Sequence, residues 1–140
     1  MRARIPEPLP VPDSSETIEA NGSAPPGAQV RLVSALRDAA MARTEDGRVE
    51  LIETHISYVI LTGQFAYKIK KALELGFLDF RGLAARRFYC QEELRLNRRL
   101  APNLYLDVVP ITGSVEAPIL GGTGPAIDYS LAGRRGHLLL

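Results

Sequence analysis

The segment Phe65 to Lys70, FAYKIK, alternates strictly and constrains the fold more than any other stretch. Phe65, Tyr67 and Ile69 fall on one face, Ala66, Lys68 and Lys70 on the other. A period of two is the signature of a strand. Two further short segments precede it, Arg48 to Glu53 and, alternating more loosely, Ile56 to Leu61. Thr62-Gly63-Gln64 is a short glycine-containing turn, which makes the second and third segments a predicted hairpin.

The strands are framed by helical patterns. Residues 28–43 place Val30, Val33, Leu36 and Ala40 near helical spacing, with Arg31 and Arg37 off that stripe. Residues 83–100 form the strongest helical pattern, stopped by Pro102. The connector Ala72 to Arg81 carries apolar residues expected to pack over the sheet. Two more strands are predicted at Leu104 to Ile111 and Ala126 to Leu131, separated by a glycine- and proline-bearing stretch over 112–125 that reads as a loop or wide hairpin. This order predicts an α+β domain: a five-stranded antiparallel sheet with one long packed helix, preceded by a short helix.

Residues 1–27 hold six of the ten prolines and read as a disordered leader. The domain proper is expected over 28–131, and 132–140 as an irregular tail that resembles a truncation or a frame change. The 17 basic and 16 acidic residues give a net charge of +1, so bulk electrostatics predicts neither a nucleic-acid nor a membrane partner. A single cysteine, Cys90, excludes an internal disulfide framework, and no apolar run approaches the ~20 residues of a membrane span. A cytoplasmic location is the expectation.

Two charged residues stand out. Lys68 follows the small Ala66 on one strand face, which suits a nucleotide site: the small side chain leaves room for a flat base and the ammonium meets phosphate oxygens. The same pattern also describes a solvated face of an edge strand. Glu93 lies on the helix stripe Ala85, Tyr89, Glu93, Leu96, Leu100. An inward carboxylate needs a cationic partner, because an unpaired buried charge is costly. A lysine on the facing sheet would supply one; a rim position snorkelling to water is the alternative. Strand lysine and helix glutamate together reproduce the arrangement by which a kinase small lobe holds ATP phosphates.

The strings ETHISYVILTGQFAYKIKKALELGFLDF and RRFYCQEELRLNRRLAPNLYLDVVPITG resemble the start of a bacterial family of aminoglycoside-phosphotransferase-like kinases, over about residues 48–131. Some members carry a P-loop ATP-binding domain after the kinase-like part. The resemblance implies a kinase-like small lobe with Lys68 as the ATP-contacting lysine, Ala66 beside it, and Glu93 as the helix glutamate, with Glu92 the runner-up. It implies ATP as ligand and a small-molecule hydroxyl as phosphoryl acceptor. Residues 126–131 resemble the strand leading to the hinge between lobes.

The chain departs from the kinase pattern in two places. The first turn reads THIS instead of a glycine-rich loop, leaving Thr54, Ser57 and backbone N–H groups to hold phosphates. There is no H-x-D loop and no later metal-binding aspartate, and Asp79-Phe80 lacks the glycine of a D-F-G motif. The expectation is therefore an ATP-binding lobe inactive alone, with Mg²⁺ bound only if a large lobe were present. Without that lobe, an apolar strip near Val108, Ile111 and Ile127 is expected to be uncovered and to drive self-association. A non-catalytic protein-binding module, or a non-functional gene fragment, is the alternative.

Overall fold

The computed structural model describes residues 27–135. The expected leader, apart from Gly27, and the last five residues lie outside them. The described chain runs α1 (Ala28–Arg43), β1 (Glu50–Glu53), β2 (Ser57–Leu61), β3 (Phe65–Lys70), α2 (Leu83–Arg98), β4 (Tyr105–Gly113), β5 (Pro118–Leu120) and β6 (Asp128–Arg134). All strand pairs are antiparallel in a single sheet of order β1-β2-β3-β6-β4-β5. The α+β class and the antiparallel sheet agree with the sequence, as does FAYKIK as a strand.

The sheet has six strands, not five. The extra one, β5, lies within the stretch expected to be a loop or wide hairpin, and takes the hairpin form. It pairs Ile111 with Leu120 and Gly113 with Pro118. Two glycines make this tight hairpin possible. Gly113 has φ +86°, and a Cβ there would come 2.5 Å from the Ala117 carbonyl oxygen. A Cβ on Gly122 would come 2.1 Å from Thr112 Oγ1. Glycine here marks close backbone approach, which in sequence is indistinguishable from looseness. The last strand also starts later and runs further than expected, so residues 132–134 of the supposed tail belong to it.

Both helices are 16 residues long, and each covers one face of the sheet. On one side, Leu32, Val33 and Leu36 of α1 pack with Tyr58, Ile60, Ile69 and Ile111. On the other, Cys90 of α2 packs with Val59, Leu61, Ala66 and Leu131. Strand β2 is buried along its whole length because it is covered from both sides, which is why its alternation is loose. A cavity of about 320 Å³ lies on the α1 side, bordered by Leu36, Ile60, Tyr67, Ile69 and Leu120. Burial pushes the Tyr67 phenol above its ordinary pKa.

The helix stripes agree only in part with their expected phases. In α1, Val33 and Leu36 are buried as expected and Ala28 and Leu32 join them, while Val30 is 55% exposed. In α2, Arg86 and Cys90 are the buried residues, whereas Leu96 is exposed and Leu100 lies beyond the helix, 87% exposed. The expected open strip is closed: Ile111 is fully buried, and Val108 and Ile127 pack partly buried against the two clusters. Of the connector's apolar residues only Phe80 is buried, and Phe77 stands in solvent. No helix of the described residues is long and apolar enough to cross a membrane.

The rotation of α2 is set by its one buried guanidinium. Arg86 Nε donates to Asp128 Oδ1 at 3.0 Å, and Nη1 donates to the carbonyls of Phe80 and Arg81 at 2.9 and 2.7 Å. Asp128 Oδ2 accepts from Gln29 Nε2 at 3.0 Å, and Oδ1 also accepts from the Tyr129 amide. Gln29 further donates to the Lys70 carbonyl and accepts from the Ala72 amide. One network thus ties α1, the end of β3, the connector, α2 and β6. Both ionic side chains are at most 5% exposed.

Removing one partner of such a pair strands the other in the interior, at a cost of about 3–5 kcal/mol. Asp128→Ala is therefore expected to lower unfolding stability by that amount in urea titrations. A loss under about 1 kcal/mol, typical of exposed pairs, would contradict the assigned role.

Candidate functional site: two strand lysines on one helix carboxylate

Strand β3 is central, hydrogen-bonded to β2 on one side and β6 on the other. Lys68 is therefore not on an edge. It sits opposite Val59 and Leu131, both fully covered, in an apolar row on the α2 side. Flanked so, its aliphatic stem is enclosed and its ammonium must find a partner among the groups of α2.

That partner is Glu93. Lys68 Nζ donates to Glu93 Oε2 at 2.7 Å. Lys70, two residues on and in the same phase, donates from Nζ to Glu93 Oε1, also at 2.7 Å. One carboxylate thus spans two ammonium groups, one on each oxygen. The lysine side chains are 14% and 10% exposed and that of Glu93 is 21% exposed. Burial pushes the Glu93 carboxyl up, but the charges and hydrogen bonds of Lys70 and Lys68 more than offset it, leaving the net shift downward. Lys70 is held further by the Phe80 ring, whose centroid lies 5.6 Å from Nζ.

The runner-up glutamate is elsewhere. Glu92 faces solvent and pairs with Arg95 at 2.8 Å on the same helix. Ala66 lies on the Lys68 face, but it is fully buried among Val59, Leu61, Cys90 and Leu131. The space its small side chain leaves is therefore filled by protein and presents no open shelf for a base. Thr54 and Ser57 are also committed. Thr54 Oγ1 accepts from the Ser57 and Ile56 amides, closing the turn, and Ser57 is buried. Asp79 is local structure, as expected: its carboxyl receives a bidentate Arg81 contact, which holds it down at about pKa 2.

Sequence reasoning missed Lys70 and the Arg86–Asp128–Gln29 network. Lys70 was legible, since it shares the phase of Lys68. Arg86 lies seven residues before Glu93, two turns back on one face. Taking an arginine as polar surface shifted the stripe by one residue. Cys90 sits on the true stripe, and burial pushes its thiol up to about 12, so it carries no nucleophilic chemistry at neutral pH.

Chemically, two ammonium groups against one carboxylate leave a positive charge in excess at a largely covered site. Such a site fits a phosphate oxygen. It does not by itself fit a metal ion: among the described residues no group of three or more His, Cys, Asp or Glu side chains converges. The cavity under α1 lies across the sheet from these lysines, because Tyr67 and Ile69 alternate with Lys68 and Lys70.

No family model matches the chain, and no solved structure matches it. A stretch of 69 residues, 49% of the chain, is 36% identical to an uncharacterized protein of Mycobacterium bovis and to uncharacterized proteins of two strains of Mycobacterium tuberculosis. The matched stretch spans 14% of the length of each of those relatives. The fold and site define an α+β domain with a lysine–carboxylate–lysine bridge between its central strand and α2.

Because the folded Glu93 carboxyl titrates below its ordinary value of 4.5, its pairing contributes in full above that pH. The contribution is lost as pH falls through the folded value. Stability curves between pH 7 and 3 are expected to fall more steeply for the wild type than for Glu93→Gln. Parallel curves would contradict the ionised bridge.

Proposed function

We propose that this chain is the nucleotide-phosphate-binding small lobe of a phosphotransferase resembling the aminoglycoside-phosphotransferase-like kinases, with Lys68 as the group that meets ATP phosphate. The Lys68–Glu93 pair at 2.7 Å carries the reading. It joins the third strand in sequence to the helix that comes next, the positions at which kinases place their ATP-phosphate lysine and its glutamate. The excess positive charge and the central place of β3 add to it.

The phosphates have a place in this reading, and the adenine has none. Ala66 is covered, so a base stacking there requires the cluster under α2 to open. Phosphoryl transfer also needs groups that orient the acceptor and hold Mg²⁺, and neither role is assigned to residues 27–135. The acceptor, a small-molecule hydroxyl in the resembled family, belongs to the same proposal.

The expected outcome is weak ATP binding by the 140-residue chain, without phosphate transfer to aminoglycosides. Lys68→Ala is expected to weaken ATP at least about tenfold, the equivalent of ~1.4 kcal/mol. Its effect on folding should stay within about 1 kcal/mol, since Lys70 keeps Glu93 paired. Calorimetric titration with ATP, run beside urea unfolding, checks both. ATP affinity unchanged by Lys68→Ala would sink the reading, as would the absence of binding at millimolar ATP.

A further inference from the structure

A buried lysine that must leave its carboxylate to meet a phosphate creates a problem for the carboxylate. If Glu93 had one partner, every phosphate that captured the Lys68 ammonium would strand a negative charge in a low-dielectric site. The bound phosphate would also lie close by, adding like-charge repulsion. Here Glu93 has a second partner on its other oxygen, Lys70 at 2.7 Å.

The two lysines are not equivalent. Lys70 ends β3, where its carbonyl accepts from Gln29 Nε2 at 2.9 Å, within the network that includes Arg86 and Asp128. Its ammonium also has the Phe80 ring at 5.6 Å, and Phe80 is itself buried. Lys68 has aliphatic neighbours across both strand pairings, Val59 and Leu131, which make no polar claim on its ammonium. Its side chain is also the more exposed of the two. Both ammonium groups meet Glu93, and that of Lys70 has the Phe80 ring besides.

We propose that Lys70 is a positioning residue that keeps Glu93 paired while Lys68 turns to a bound phosphate. The inference rests on the phosphate-site reading above and adds a division of labour between the lysines. Lys68 binds the anion. Lys70 removes the cost of releasing Lys68, so that phosphate binding leaves no unpaired carboxylate behind.

Other groups face Glu93 and bear on its titration. Lys68 and Lys70 approach from β3, Tyr105 from β4, and Cys90 from its own helix; the Arg86–Asp128 pair closes the far end of the α2 face. Cys90 and Tyr105 both titrate above their ordinary values, so neither changes charge in the acidic window where Glu93 does.

The test is the carboxyl titration of Glu93 by ¹³C NMR, with and without saturating Mg²⁺-free ATP. The proteins are the wild type, Lys70→Met, Lys70→Gln and Lys70→Arg. In the wild type and Lys70→Arg, Glu93 is expected to stay at or below its ordinary range when ATP binds. In Lys70→Met and Lys70→Gln it should rise by at least about one pH unit on ATP binding, a tenfold shift in proton affinity. ATP affinity in these two variants should then improve on acidification relative to the wild type.

A merely structural Lys70 would change unfolding without a ligand-dependent shift at Glu93, and that result overturns the proposal. It is equally overturned if wild-type Glu93 climbs above the ordinary carboxyl range on ATP binding, a measurement that needs no variant to fold. ATP binding that depends on Lys68, with Glu93 titrating alike in all four proteins, rejects the role of Lys70 and leaves the phosphate site standing. If ATP does not bind, both fall.

Discussion

The buried ion pair between Arg86 and Asp128 sets the position of everything else on the α2 face. A guanidinium that is almost wholly enclosed must satisfy its donors in fixed directions. It does so with one carboxylate on β6 and two carbonyls of the connector. Those contacts fix which side of α2 points inward. Glu93 lies two turns further along the same face, so its meeting with β3 is a consequence of the seating of Arg86. Gln29 extends the constraint past the end of β3 and the start of β6 to α1. A well-packed apolar substitute could be as stable as such a pair; what the charges add is direction.

The resulting site is a compromise between burial and charge. Glu93 is kept ionised by two ammonium groups in surroundings that alone would favour its neutral form. Sharing the carboxylate leaves each lysine with one strong contact and with donors to spare. All three side chains keep some exposure, and the proposed phosphate site depends on that opening.

Much of this was legible in the sequence, and the failures have physical causes. FAYKIK announced a strand and the correct facing of Ala66 and Lys68, because period two is unambiguous over six residues. The Lys68–Glu93 pair was legible too, since an inward carboxylate demands a partner. The helix stripe was misphased because Arg86 reads as surface until its partner Asp128 is known, and that partner is 42 residues away. The sequence left β5 open between loop and hairpin because of Gly113 and Gly122, which here serve tight approach rather than freedom. The covering of Ala66 depends on how closely α2 seats on the sheet, a tertiary quantity that strand alternation does not encode. Ile111 was misjudged for a related reason: its burial comes from α1 and the neighbouring strands, not from a second lobe.

The most direct measurement of the central claim is the response of the two lysine ammonium groups to ATP, followed by ¹⁵N-detected NMR of the side-chain Nζ resonances. If Lys68 is the phosphate-meeting group, its resonance shifts in proportion to ATP occupancy and its coupling to Glu93 weakens, while Lys70 remains in place. If ATP instead leaves the Lys68 resonance unmoved, or perturbs only residues around the cavity beneath α1 such as Tyr67 and Leu120, the lysine–carboxylate bridge is structural and the phosphate site lies elsewhere.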